Sequence, residues 1–170
     1  EHSLLDDAIE SLSDGFALYD SDDRLLLCNQ PYREIYRDSA PAIVIGATFE
    51  SIVRYGLERG QYPQAGVTGS ERKAWLAERL RRHRQPDGVP LLQELRGNRW
   101  LRIDERRTRS GGVAGVRTDV TAMVRTRQDL EATAAALQQA NAQLEELSAT
   151  DALTGLANRR RFDTRLAEEV

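Results

Sequence analysis

The pattern of apolar residues over the first 120 positions alternates between strand-like and helix-like periods. Residues 3–12 are predicted to form a short helix, because apolar side chains recur there at the spacing of one helix face. Two strand-like runs follow at residues 16–20 and 25–29, and the polar segment between them predicts a hairpin turn. The apolar positions of the short helix are Leu5, Ala8, Ile9 and Leu12.

Three further helices are predicted after this hairpin. Asn29 can cap the first of them, which has Pro31 in its opening turn. Residues 49–58 form the second, with one apolar face and with Gly60 just beyond its end. The third helix covers residues 71–84 and is rich in arginine.

Three consecutive strands are predicted after the helices, at residues 91–95, 99–108 and 113–120. Short polar segments rich in glycine separate these strands and are typical of tight turns. The predicted fold class is therefore α+β, with a five-stranded antiparallel sheet and flanking helices. Because both faces of the sheet carry apolar residues, we expect the middle helices to cover one face and the helix at residues 3–12 to cover the other.

Residues 122–150 differ from the preceding sequence, since they contain no glycine or proline and repeat apolar residues every seven positions. This heptad pattern predicts a long helix that pairs with a second copy as a coiled coil. Asn141 at a position that faces its twin favours a parallel, in-register dimer. The alternative is one amphipathic helix that folds back on its own domain. The predicted dimer seam comprises Met123, Leu130, Leu137 and Leu144, with Ala134 and Asn141 at the complementary core positions.

The composition of the 170-residue chain excludes several classes of protein. A single cysteine excludes an internal disulfide, and two histidines are too few for a histidine-rich metal site, so we expect no metal. The longest uncharged apolar run, residues 40–49, is shorter than the ~20 residues that cross a bilayer. We therefore expect no membrane segment here and, since no secretory leader opens the sequence, a cytoplasmic location.

Basic residues are concentrated in the second half of the predicted sheet domain. Residues 72–109 contain 12 basic and 5 acidic side chains, whereas the first 29 residues contain 8 acidic side chains and one arginine. A nucleic-acid-binding dimer would use the basic segment for phosphate contacts. We expect no nucleic-acid partner, because the acidic segment can neutralise the basic one and no aromatic residues alternate with the arginines.

Several short motifs occur in a fixed order between residues 15 and 121. They are residues 15–20, residues 24–29, Tyr32, residues 100–107, the pair Gly111 and Gly112, and Asp119-Val120-Thr121. In this order they resemble a PAS sensory domain, and the predicted order of strands and helices agrees with that fold.

The resemblance to PAS domains implies a ligand pocket between the inner face of the sheet and the middle helices. The alternative is that the same residues form an ordinary core. No cofactor is identified: Cys28 lies outside any flavin-binding motif, and the arginine-rich surroundings of His83 predict a solvated side chain rather than a haem ligand. Two possibilities stay open: the pocket binds an unknown small molecule, or the domain binds no ligand. The candidate lining residues are Phe49, Ile52, Val53, Trp100, Ile103 and Val116.

Asp119 and Thr121 stand where the last strand is followed by the long helix. A carboxylate and a hydroxyl there can accept hydrogen bonds from the first turn of the helix. Capping alone is the simpler interpretation. We also expect this pair to couple movements of the strand to the position of the helix.

The last twenty residues contain a second motif, which runs from Asp151 to Arg160 and is followed by Phe162 and two acidic residues. It resembles the opening of a GGDEF domain, the diguanylate cyclase family. The resemblance implies a parent protein that condenses two GTP molecules into cyclic di-GMP with Mg²⁺. No catalytic residue lies in this chain, since the family's catalytic loop follows the motif. We expect the helix to break at Gly155, and the joint between linker and cyclase to comprise Asp151, Leu153, Thr154, Asn158, Arg159 and Arg160.

These observations predict four segments: a cap helix (1–14), a PAS domain (15–121), a coiled-coil signalling helix (122–150) and the start of a GGDEF domain (151–170). The predicted function is a sensory and dimerisation module that regulates a cyclase. Two helix arrangements, biased by a ligand, would permit or forbid the meeting of two GTP-loaded domains. The alternative is a ligand-free PAS module that only dimerises, without an enzymatic output of its own.

Overall fold

Five antiparallel strands form a single sheet in the computed structural model, which describes the backbone of residues 2–168 and the side chains of residues 3–149. The strand order is β2-β1-β5-β4-β3, and each pair of neighbours is antiparallel. The hairpin and the three later strands predicted from the sequence are confirmed. The strands are β1 (Gly15–Tyr19), β2 (Leu25–Cys28), β3 (Leu91–Leu95), β4 (Arg99–Arg107) and β5 (Val113–Asp119).

Three α-helices and two 3₁₀ turns connect β2 to β3, and their buried residues form the core with the sheet. Polar caps decide where the helices begin: Asn29 and Thr48 each accept a backbone N–H of the helix that follows. The third helix begins two residues before its predicted start, because Thr68 and Glu71 form a capping box around its first turn. The elements are α2 (Gln30–Ile35), α3 (Phe49–Glu58), α4 (Gly69–Arg84) and the turns Arg37–Ala42 and Pro63–Ala65.

The N-terminal helix α1 (His2–Glu10) forms as predicted but does not bury its apolar stripe. Leu5 and Leu12 are 57% and 44% exposed, so the expectation that this stripe covers the second face of the sheet is wrong for the single chain. Polar contacts hold α1 instead, because its last turn is hydrogen-bonded to Asn29 and to the backbone of Gln30.

The C-terminal helix α5 (Thr121–Glu168) is continuous through Gly155, where the sequence predicted a break. A single glycine costs a helix only about 1 kcal/mol relative to alanine, which strong helix formers on either side can offset. The chain divides into two compact units, Glu1–Ala122 and Met123–Val170. Within the part of the chain that the structure describes, no helix is long and apolar enough to span a bilayer.

Candidate functional site

The predicted pocket residues lie on two different faces of the sheet. Phe49, Ile52 and Val53 of α3 pack into one buried core with Ile103 of β4. Trp100 is half-buried and lies on the opposite face, since side chains alternate along a strand and Leu101 and Ile103 point inward. Val116 also belongs to that outer face, because it pairs with Asp104 while its neighbour Arg117 is buried. Trp100 and Val116 therefore do not line the interior.

Four charged or titratable side chains lie inside this core, between α4 and the sheet. Glu105 of β4 is at their centre and accepts a hydrogen bond from Nη2 of Arg79 at 2.5 Å. Its second oxygen contacts Nδ1 of His83 and lies 3.8 Å from Nη2 of Arg117. None of these four side chains is more than 8% exposed. The buried ionic cluster is defined here as Arg79, His83, Glu105 and Arg117.

The charges of this cluster stabilise one another in their ionised forms. Burial opposes ionisation of Glu105, but the positive charges of Arg79 and Arg117 outweigh burial and hold its pKa well below the usual range. Burial likewise opposes the charge on Arg117, and the carboxylate of Glu105 outweighs it and raises the pKa of that guanidinium. Glu105 is therefore ionised at neutral pH, with two cations beside it.

Sequence reasoning missed this cluster, and the prediction that His83 is solvated is wrong, since its relative exposure is 0%. A usable signal was present on α4, whose buried face follows helical spacing. The residues on that face are Leu76, Arg79, Leu80 and His83. The arginine-rich composition of the segment hid that stripe. Arg79 therefore belongs to the interior and not to a surface for phosphate groups.

Gly115 provides the space in which the guanidinium of Arg117 lies. A Cβ atom at this position would overlap Nη1 of Arg117 and come within 3.2 Å of Cγ of Glu105. Gly115 and Glu105 are direct partners across β5 and β4, and Arg117 lies two residues further along the same face. The cluster thus depends on the absence of a side chain at a residue that carries no charge itself.

Hydroxyl and amide groups continue the polar interior beyond the cluster. The hydroxyls of Tyr19 and Tyr32 are 3.0 Å apart, and Gln61 donates from Nε2 to Oγ of Ser39 at 2.9 Å. Desolvation raises the pKa of Tyr32, which keeps its hydroxyl protonated. Among residues 3–149, whose side chains are described, four buried side-chain atoms have no hydrogen-bond partner: Oε1 of Gln61, Nη1 of Arg79, Nε2 of His83 and Nε of Arg117.

The space beside the cluster is small. A cavity of about 20 Å³ is lined in part by Arg79, Ile103 and Glu105, which is room for a water molecule but not for an organic ligand. Among the described residues no group of three or more histidine, cysteine or acidic side chains is arranged to hold a metal ion. Burial raises the pKa of the Cys28 thiol, which disfavours the thiolate form that binds metals.

Asp119 makes the capping contact that the sequence suggested, whereas the hydroxyl of Thr121 bonds to β4 and not to the first turn of the helix. Oδ1 of Asp119 accepts the backbone N–H of Thr121 at 2.9 Å, so it caps the helix. Oγ1 of Thr121 accepts the backbone N–H of Trp100 at 2.9 Å, and the carbonyl of Trp100 accepts the N–H of Val120. The first residue of α5 is therefore bonded to the beginning of β4. The proposed joint from Asp151 to Arg160 lies outside the described side chains.

Comparison with known proteins agrees with this architecture. A family model described as "PAS fold" matches residues 9–128. The "Non-motile and phage-resistance protein" of Caulobacter vibrioides is 31% identical over 153 residues, which are 85% of this chain but 16% of that much longer protein.

Two solved structures are also similar. The PAS domain of Bordetella pertussis BvgS is 20% identical, with 78% of this chain and 97% of that one covered and a TM-score of 0.41. The phage VqmA–DPO complex is 14% identical, with 77% and 57% covered and a TM-score of 0.44. Since the family model covers well over half of the sequence, the chain belongs to the PAS fold family.

Proposed function

We propose that this chain is a sensory and dimerisation module that regulates a C-terminal diguanylate cyclase through a parallel helical linker. The exposed heptad stripe of α5 carries the proposal. Met123, Leu130 and Leu137 are 62%, 65% and 60% exposed, and Leu144 is 64% exposed. Burying one such side chain contributes about 1.5–3 kcal/mol, so pairing with a second helix supplies a driving force that a solitary helix lacks.

The seam is suited to more than one arrangement. Its complementary positions hold small Ala134 and polar Asn141, and Arg127 at the preceding such position lies 3.6 Å from Glu131 of its own helix. A continuous leucine seam would stabilise one register strongly, whereas these residues weaken that preference. A modest difference in free energy, typically ~1–3 kcal/mol, is then enough for a stimulus to shift the pairing.

The junction between sheet and helix supports a route for such a stimulus. The backbone of Trp100 is bonded to both Val120 and Thr121, and β4 also carries Ile103 and Glu105 in the interior. A change in the core that moves β4 therefore acts on the first turn of α5. We propose a small molecule as the stimulus, with Phe49, Ile52, Val53 and Ile103 as the candidate contacts. Because the cavity beside the cluster measures only about 20 Å³, binding requires these side chains to move apart.

The proposed output rests on the motif from Asp151 to Arg160. In the parent protein the paired helices would bring two cyclase domains face to face, each with GTP and Mg²⁺, and the product would be cyclic di-GMP. The parent is expected to be longer than this chain, as is the curated relative that it matches in part.

The test is the formation of cyclic di-GMP from GTP by the parent protein, with variants of the seam. Leu137→Glu is expected to dissociate the dimer and abolish turnover, since it places a carboxylate at a core position. Gln139→Glu adds the same charge two residues away, off the seam, and is expected to leave both unchanged. Full turnover by a monomeric Leu137→Glu protein would refute the proposal that pairing of the helical linker is required for activity. If neither the wild type nor any variant forms cyclic di-GMP, the proposal that the parent is a diguanylate cyclase is refuted.

A second candidate is a ligand-free PAS module that only dimerises. The observation in its favour is the filled interior, where Arg79 and Arg117 both pair with Glu105 beside a cavity of about 20 Å³. It predicts a dimer whose stability is unaffected by cell-extract metabolites. A metabolite that raises the unfolding temperature, and no longer does so after Ile52→Trp, would exclude it.

A further inference from the structure

His83 is held between two carboxylates in the core. Its Nδ1 contacts Glu105, and its Nε2 lies 3.5 Å from Oδ1 of Asp23 in the turn between β1 and β2. The ring is stacked on Phe49 at 3.6 Å between centroids and meets the edge of Tyr19 at 5.0 Å. These neighbours fix the plane of the imidazole, so each nitrogen faces one carboxylate.

The proton on the neutral ring has a determined position. Glu105 is ionised and can only accept, so Nδ1 must carry the hydrogen that faces it. Nε2 then presents a lone pair towards the carboxylate of Asp23, which explains why this buried nitrogen has no hydrogen-bond partner. A second proton would convert this contact between two acceptors into a charge-assisted hydrogen bond.

The charges around the ring oppose one another. Burial is the largest influence and lowers the pKa of His83, the contact with Glu105 raises it, and the charges of Arg79 and Arg117 lower it. The groups that face the site from the packed elements are Glu105 of β4, Arg117 of β5, Arg79 and Arg84 of α4, Tyr19 of β1, Glu50 of α3 and Asp23 of the turn.

We propose that His83 is a proton-binding site and that the bound proton adds a second link, beside the bond between Arg84 and Asp23, from α4 to the β1–β2 turn. The proton comes from solvent, adds to Nε2 and is shared with Oδ1 of Asp23. Because 3.5 Å exceeds a normal hydrogen bond of about 2.9 Å, the turn and α4 must approach each other.

The position of Asp23 explains how this movement spreads. Its Oδ2 accepts a hydrogen bond from Nε of Arg84 at 2.6 Å, so the two oxygens serve two donors without competition. Its carbonyl accepts the N–H of Phe49 at 2.9 Å, which ties the turn to the first residue of α3. Protonation therefore acts on both helices that form the wall of the core. This inference names a stimulus for the sensory module proposed above and rests on that function only for its signalling role.

The experiment is a titration of the histidine ring resonances of this chain by NMR, with assignment through His83→Gln. The wild type is compared with Asp23→Asn, which keeps the shape of the side chain and tolerates the left-handed backbone at this residue (φ 61°). The matched control is Asp22→Asn, the neighbouring exposed carboxylate.

We expect the pKa of His83 to fall by about one unit or more in Asp23→Asn and to be unchanged in Asp22→Asn. We also expect the amide of Phe49 in the wild type to titrate with the pKa of His83, a result that needs no variant. Three results would each overturn the proposal. The first is a pKa of His83 in Asp23→Asn equal to that of the wild type, and the second is an amide resonance of Phe49 that does not shift as His83 titrates. The third is unfolding of the wild type at a pH above that at which His83 titrates. Because none of these measurements uses dimerisation or cyclase activity, a failure of the proposed function leaves the result interpretable.

Discussion

Replacement of Glu105 by glutamine removes the carboxylate that contacts all three of its partners in the buried ionic cluster. In the native protein its two oxygens meet Arg79 at 2.5 Å, His83, and Arg117 at 3.8 Å. Glutamine fills the same space but is neutral, and it turns an NH₂ group towards one of these partners. Both guanidinium groups would then be buried without a counter-charge.

The expected loss in the free energy of unfolding is about 3–5 kcal/mol, the range found when one partner of a buried ion pair is removed. The matched control is Glu78→Gln on α4. Glu78 also pairs with an arginine, Arg81 at 2.8 Å, but both side chains are 56% exposed, so solvent screens the pair and we expect no measurable change.

Urea unfolding followed by tryptophan fluorescence measures both variants, because Trp75 and Trp100 both belong to the PAS unit. Protein concentration is held constant so that association does not alter the comparison. The pKa of Glu105 is lower in the folded than in the unfolded state, so its stabilising effect is present above the unfolded value of about 4.3 and is lost as pH falls below it. The difference in the free energy of unfolding between the wild type and Glu105→Gln should therefore become smaller as pH falls below this value. A Glu105→Gln protein as stable as Glu78→Gln at pH 7 would refute the reasoning.

Three further substitutions test other parts of the structure. Asn29→Asp should lower the free energy of unfolding by about 3 kcal/mol in urea, because buried Nδ2 donates to the carbonyls of Ile9 and Asp14 and a carboxylate would repel both. Gly115→Ala should cost about 2 kcal/mol in the same assay, since the added methyl group displaces Arg117, and an unchanged midpoint would contradict that overlap. Asn141→Leu should tighten the predicted dimer at least tenfold in sedimentation equilibrium and reduce the response of cyclase output in the parent, whereas an unchanged dissociation constant would argue against the seam.

The succession of strands and helices followed from local rules that need no knowledge of the fold. The strand β4 was predicted to within one residue of its end, because apolar alternation and the glycine turns on both sides are properties of neighbouring residues. The face of each residue was harder to assign. Trp100 and Leu101 are both apolar, so alternation alone could not decide which of them points inward, and Leu101 occupies the core because Ile103 shares its face.

The buried ionic cluster depends on residues that are distant in the sequence. Arg79 and Glu105 are 26 residues apart, and Arg117 lies a further 12 along the chain. A charged residue is ordinarily predicted on the surface, because burying it alone costs several kcal/mol. Only the tertiary structure shows that Arg79 and Arg117 share the carboxylate of Glu105, so the sequence interpretation of a basic surface was reasonable for Arg81 and wrong for Arg79.

The strand β4 connects two features on which the proposed signalling depends. Its second half carries Glu105 in the cluster, and its beginning, at Trp100, is bonded to the first residue of α5. Packed interiors deform little, so a change in the pairing of Glu105 is more readily transmitted along a hydrogen-bonded strand than absorbed around it. Thr121→Val tests this argument, because it removes the acceptor for the N–H of Trp100 and preserves the shape of the side chain. If β4 transmits the state of the core, the pKa of His83 should be the same in this variant as in the wild type. The amide resonances in the first turn of α5 should then no longer shift when His83 titrates.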